Sequence, residues 1–322
     1  MSSRPTATPP PGYAVRAPRR DDAEDVAALE RAADLALQGV SDSSTAEVLE
    51  EWALPRLDPQ RDLWLLSEDD VAVGYGFLYQ AEPPSLFVAG HVVHPDHDDR
   101  GLEEFLLDAA EARAAAVAAA GPAPASATLH VFAHERQEHR RALYAARGYT
   151  HVRSFSRLQV SLDTAPPAPV WPRGIETRTF RRGQDEAAVH AATHEAFLDH
   201  WHPDVMDLDE WETLRFARSD LDLGLWWVAW DGEQVAGSLL AFPTPLGGYV
   251  DELSVRRPWR GRGLGRALLL QAFAELRRRG LPAAYLGVDT LNPTGAMHLY
   301  ESVGMKPVHG AHLVFERTLP LP

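Results

Sequence analysis

The segment Arg260-Gly261-Arg262-Gly263-Leu264-Gly265-Arg266 combines three glycines with three arginines. A turn of this kind between a strand and a helix leaves several backbone N–H groups unpaired and pointing one way. At the positive end of a helix dipole it binds phosphate. Arg256 and Arg257 add to the local positive charge, in a chain whose formal net charge is −15. The local field opposes the global one, as expected where an anion is held. The neighbouring residues choose among phosphate loops. A nucleotide-hydrolysing loop needs Lys-Ser/Thr after its last glycine, and Arg266-Ala267 stand there instead. A dinucleotide fingerprint needs G-x-G-x-x-G, whereas Gly261, Gly263 and Gly265 give G-x-G-x-G.

The elements around the loop must position it. Residues 249–255 read as an apolar strand, 267–276 as a helix and 284–288 as a second strand. Asn292, Leu299-Tyr300-Glu301 and Gly304 follow. The pattern Arg260-x-x-Gly263-x-Gly265 after Asp251-Glu252-Leu253-Ser254-Val255, with these later elements in order, resembles the GNAT superfamily, the GCN5-related N-acetyltransferases, over residues 174–320. The resemblance implies acetyl-CoA as co-substrate, with its pyrophosphate cradled by Arg260, Gly261, Arg262, Gly263, Leu264, Gly265 and Arg266. It implies that the strand Leu253, Ser254 and Val255 splays from its neighbour and offers backbone groups to the pantetheine arm and the acetyl carbonyl. Asn292 matches a position that contacts the arm, and Tyr300 the tyrosine that protonates the CoA sulfur. A phenol with a pKa of about 10 stays protonated until the thiolate forms. Glu252 is the general base on this reading, with Asp251 or a water as alternatives. On a regular strand those two carboxylates face opposite ways. The expected reaction is acetyl transfer to a primary amine by direct attack on the thioester. A non-catalytic acyl-CoA-binding sensor is the alternative.

The same order of elements occurs twice. Residues 1–12 read as a disordered terminus, 13–162 as a degenerate GNAT-like domain, 163–172 as a Pro-rich linker and 173–322 as the catalytic domain. The expected fold class is therefore α/β: two tandem GNAT-like domains, each a mixed, mostly antiparallel sheet flanked by helices. Setting Val93 against Val255 places Asp98 at Arg260, Asp99 at Gly261, Glu103 at Gly265 and Glu104 at Arg266. Carboxylates there would repel a phosphate at roughly 1 kcal/mol per pair even in water. The first half is not expected to bind acetyl-CoA in the family's way.

At 322 residues the chain accommodates two ordinary domains. Its acidity argues against nucleic-acid partners. Having no cysteine excludes disulfides and thiolate sites. No run approaches the roughly 20 apolar residues of a membrane span, and the terminus carries no signal-peptide core. The expectations are a cytoplasmic monomer or homodimer, a small-molecule or peptide amine acceptor, and no metal. His91, His94 and His97, and His200 and His202 with Asp199 and Asp204, superficially resemble metal clusters, but Pro95 breaks the first. The second group, with Phe197, Trp201 and Asp207, could instead wall an acceptor pocket for a cationic amine.

Overall fold

Apolar strands closed by tight acidic turns build a hairpin in each half. In the first, Glu68 pairs with Val71. Asp69 and Asp70 between them have φ of 48° and 65°. Two left-handed residues make the turn whose twist suits a two-residue hairpin, and Asp tolerates that conformation better than most side chains. In the second, Asp231 pairs with Gln234 across Gly232, which has φ of 60°.

The computed structural model describes residues 8–121, 126–201, 206–291 and 295–321. The first half runs β1 (Ala14–Arg16), α1 (Ala23–Gln38), α2 (Thr45–Glu51), β2 (Leu63–Glu68), β3 (Val71–Gln80), β4 (Leu86–Val93), α3 (Leu102–Ala120), β5 (Ala127–His134), α4 (Glu138–Ala146) and β6 (Thr150–Ser161). The second half repeats that order as β7 (Ile175–Thr179), α5 (Glu186–Phe197), α6 (Leu208–Arg215), β8 (Trp227–Asp231), β9 (Gln234–Thr244), β10 (Gly247–Val255), α7 (Leu264–Arg278), β11 (Ala283–Asp289), α8 (Ala296–Ser302) and β12 (Lys306–Leu319). The element order is thus the repeated one that the sequence implies, and the sheets it builds are mixed and mostly antiparallel with flanking helices.

The compact units do not coincide with the halves. One comprises 1–154 with 311–322, the other 155–310. Residues 155–161 of β6 pair with β11, and 312–319 of β12 pair with β5. Each sheet is completed by the final strand of the other half of the chain. The boundary expected at 163–172 and this division therefore differ. The linker carries no helix or strand, but the strands on either side of it are exchanged. The strand order is β1-β2-β3-β4-β5-β12 in the first unit and β6-β11-β10-β9-β8-β7 in the second.

The packing explains the helices. Along α7, Leu264, Leu268, Leu269, Ala272, Phe273 and Leu276 recur every three or four positions, and all are buried in the second unit's core. Arg277 and Arg278 occupy its last turn, where cations suit the negative end of the dipole. In the first unit alternate residues of β2 face opposite sides. Leu63 and Leu65 join α1, while Trp64 and Leu66 join α3.

The parallel pair at the centre of each sheet opens. In the second unit β10 pairs with β11 only at Gly248↔Ala284 and Tyr249↔Tyr285. In the first, β4 pairs with β5 from Leu86↔Thr128 to Ala89↔Val131 and then departs.

Candidate active site

Residues 250–255 of β10 keep their antiparallel ladder with β9 but have left β11. Leu253, Ser254 and Val255 therefore border a wedge between two strands, the splay expected of them. Ser254 itself is 1% exposed, and its hydroxyl lies 2.8 Å from the Ser238 hydroxyl. It also accepts from the Ser238 N–H at 3.2 Å. Its side chain fixes β9 to β10, so only its backbone faces the wedge.

The register between β9 and β10 shifts between Val250 and Glu252, which makes Asp251 the extra residue of a β-bulge. This corrects the expectation that Asp251 and Glu252 face opposite ways. Arg215, in the last turn of α6, donates through Nη2 to Glu252 at 2.5 Å and through Nη1 to Asp251. Glu252 is 8% exposed, and its Oε2 is buried without a hydrogen bond among the described residues. Burial raises the Glu252 pKa, and the Arg215 guanidinium opposes that rise. A buried carboxylate with one spare oxygen and a raised pKa has the make-up of a general base.

After β10 a short 3-10 turn, Arg257–Trp259, leads into the loop. Gly261 and Gly263 have φ of 70° and 84°, a region that disfavours side chains, and nothing lies within 4 Å of where a Cβ would stand. The first intrahelical bond of α7 runs from the Ala267 N–H to the Gly263 carbonyl at 3.0 Å. The amides of Leu264, Gly265 and Arg266 are thus the helix's open donors. A Cβ at Gly265 would meet Leu299 Cδ2 of α8 at 3.1 Å, so the glycine lets the two helices approach. Backbone donors, open space over the two glycines and a positive helix end fit a pyrophosphate.

The arginines divide into two sets. Arg260 donates from Nε to the Val255 carbonyl at 3.0 Å, from Nη1 to Asp199 at 2.7 Å and from Nη2 to the Ala196 carbonyl at 3.0 Å. Arg257 also holds Asp199. Hydrogen bonds from Arg257 and then Arg260 keep the Asp199 carboxyl well below the usual range. The Arg260 side chain therefore locks the end of α5 to the end of β10 and is not turned to the loop's open amides as the sequence led one to expect. Arg262 is exposed and Arg266 half-buried, and neither makes an ion pair among the described residues.

Tyr300 lies on α8 and packs against the second unit's core. No hydrogen bond reaches its hydroxyl among the described residues, and burial pushes its pKa up to about 12. Its counterpart in the first unit, Tyr144, is 1% exposed and donates to the Phe132 carbonyl at 3.0 Å. Asn292, His202 and Asp204 lie outside the described residues. Of the expected acceptor wall, Asp199 is held by arginines, and Asp207 caps α6 by accepting from the Glu210 N–H at 2.9 Å. Asp199 is thereby committed to Arg257 and Arg260, whereas Asp207 remains exposed.

The first unit reproduces the loop's backbone with different chemistry. Asp99 has φ of 60° where Gly261 has 70°, and Gly101 has 75° where Gly263 has 84°. Both Gly101 and Gly263 cap their helices in the left-handed region. The side chains of Asp98, Asp99, Glu103 and Glu104 stand at or beside the helix end. Arg215 is the site residue that sequence reasoning missed. It lies 36 and 37 positions from the carboxylates it joins, and no motif marks it.

The family model for the acetyltransferase (GNAT) family matches residues 26–149 and 187–305. A mycothiol acetyltransferase of Thermomonospora curvata is 36% identical over 261 residues, 80% of this chain and 83% of that protein. One from Salinispora arenicola is 31% identical over 312 residues, 91% and 92% of the two chains. The crystal structure of a GCN5-related N-acetyltransferase from Sphaerobacter thermophilus has a TM-score of 0.78 at 31% identity, covering 97% of this chain and 98% of its own. A tandem GNAT protein from the clavulanic acid biosynthesis pathway has a TM-score of 0.73 at 18% identity and shows the shared fold, covering 96% and 99%. The two matched segments, one in each half, and the tandem layout similar to mycothiol synthase lead to one conclusion: the chain belongs to the GNAT family of acetyltransferases and is a tandem-domain member of it.

Proposed function

We propose that acetyl transfer takes place in the second unit, with acetyl-CoA in the wedge between β10 and β11 and a primary amine of a small molecule as acceptor. The observation that carries this is the contrast between the two loops. They share backbone dihedrals, but one presents glycines and free arginines and the other carboxylates. The family's co-substrate, when bound, supplies an acetyl group as a thioester. The amides at the start of α7, with Arg262 and Arg266, hold its pyrophosphate. Backbone groups of Leu253 and Val255 orient the arm and the carbonyl. Glu252 takes the proton that the amine nitrogen loses as the new C–N bond forms. Tyr300 gives its proton to the sulfur as the C–S bond breaks, and its raised pKa keeps that proton in place beforehand. Asn292 is included as an arm contact on the resemblance alone. The names of the relatives make mycothiol-related amines the first acceptors to assay.

The test is release of free CoA thiol from acetyl-CoA with a panel of amines. Tyr300→Phe should lower kcat by roughly a hundredfold or more, the range of one proton transfer, while CoA still binds. Unchanged turnover in that variant would remove Tyr300 from the mechanism. CoA binding without turnover on any amine would overturn the acceptor class.

A further inference from the structure

Three arginines at the loop, Arg256, Arg257 and Arg260, are bound to the end of α5. Arg256 donates from Nε to Glu195 at 2.7 Å and from Nη1 to the Val235 carbonyl of β9 at 3.1 Å. Arg257 holds Asp199. Arg260 engages all three of its nitrogens, on the carbonyls of Val255 and Ala196 and on Asp199. The Ala196 carbonyl is one of the last in α5, where a helix leaves acceptors open and favours cations.

The first unit forms the same scaffold without this clamp. Arg16 pairs with Asp22, and Arg178 with Asp185, each at 2.5 Å, which sets α1 in register with α5. In that register Ala32 stands at Glu195 and Ala36 at Asp199. Setting Val93 against Val255 likewise puts His94, Pro95 and Asp98 at Arg256, Arg257 and Arg260. None of the clamp's five charged residues is kept, on either side. α1 still docks through Ala23, Val26, Ala27 and Leu29 and closes with Gly39 at φ of 76°. A helix at this place needs apolar burial and a cap, not three arginines. The clamp accompanies the half that has the glycine loop.

Its inner end reaches the wedge. The Arg256 N–H bonds the Ala236 carbonyl of β9 at 3.0 Å. Val255, one position earlier, therefore turns its N–H and carbonyl away from β9 and toward the wedge. Arg260 Nε takes that carbonyl at 3.0 Å. A guanidinium beside an anion site is drawn to phosphate unless a carboxylate fixes it. Asp199 is that carboxylate. One of its oxygens accepts from Arg260 at 2.7 Å, and Arg257 steadies it through both.

We propose that Asp199 is a positioning residue for acetyl-CoA: it acts through Arg260, holding the guanidinium on the Val255 carbonyl so that the backbone at the wedge mouth is set before the co-substrate arrives. This deepens the proposed function and rests on acetyl-CoA lying between β10 and β11. It assigns the acidic residue after α5 to the co-substrate rather than to the amine.

The test measures KM for acetyl-CoA and kcat by thiol release, and CoA affinity by calorimetry, on the full chain at 0.5 M salt. Deleting a carboxylate beside an anion site favours the anion by charge alone, and at that salt the effect between exposed groups is screened. Asp199→Ala should raise KM and the Kd of CoA at least about fivefold with kcat within about twofold, the pattern of lost uniform binding. Its melting temperature should stay within the few degrees that an exposed ion pair is worth. Asp199→Glu should recover part of the loss. Asp199→Ala added to Arg260→Met should bring no further loss, since both act through one guanidinium. An unchanged or lower KM in Asp199→Ala, or an effect as large in the Arg260→Met background, would overturn the inference. Arg266→Glu separates it from the reading it rests on. CoA affinity that ignores that reversal would take the co-substrate out of the wedge, and Asp199 would lose its role with it.

Discussion

Glu252 and Arg215 set the sharpest expectation at the scale of single residues. A carboxyl raised by burial works as a base only while ionised, so activity should fall as pH drops through its raised pKa. The acid limb of kcat/KM should therefore lie above the ordinary Glu value of about 4.3. Arg215 lowers that pKa, so Arg215→Met should move the limb to higher pH, and Arg215→Lys should return part of the way. A pH profile of the three proteins checks this. An acid limb that does not move would assign the proton to another group, with Asp251 or a water next in line. Removing Arg215 also leaves two carboxylates close together on the bulge, which pushes in the same direction.

At the scale of elements, the loop into α7 works because its backbone and its charges serve separate purposes. The backbone needs left-handed residues at two positions, and both repeats supply them, with Asp99 standing in for a glycine. Besides Gly265, whose place Glu103 takes, charge then separates the two loops. Arg266→Glu in the second unit should raise KM for acetyl-CoA by roughly thirtyfold, since a reversal changes the interaction by about 2 kcal/mol at near-aqueous dielectric. The rise should shrink at high salt, as screening of an exposed pair requires. Saturation curves at 0.05 M and 0.5 M salt check both. This is also where the sequence was most legible. Glycine spacing, flanking strand and helix, and Tyr300 could be located because each requirement is local. The bulge at Asp251 could not, because it depends on the register that β10 keeps with β9, and the splay after Tyr249 is implied only by the family resemblance, since it depends on where β10 leaves β11. Arg215 was invisible because α6 reaches β10 only through the fold, and the Arg260 side chain was misplaced because Asp199 and Ala196 are brought to it from α5.

For the whole molecule, the exchanged strands decide what can stand alone. Strands 150–161 and 306–319 have similar apolar alternation and follow the same helix and glycine, so either could complete either sheet, and the sequence favours the nearer one. The fold uses the farther one. Seven register pairs join 155–161 to β11, and Leu158 and Leu162 belong to the second unit's core. A fragment cut at the linker, 163–322, loses that strand. It forfeits burial of two leucines, about 1.5–3 kcal/mol each, and bares the ladder edge of β11, an invitation to aggregate. Against a domain stability of about 5–15 kcal/mol that loss is large. The fragment 155–310 keeps its own strand and omits only β12 residues that pair in the first unit. The expected outcome is that 155–310 expresses as a soluble, cooperatively melting protein and 163–322 does not, with a peptide of residues 150–162 added in trans recovering part of the latter's solubility. Circular dichroism melts of the two fragments test this. Equal behaviour would mean that the exchanged strands add little to the second unit, and the compact folding unit would then be the half between the linker and the C-terminus.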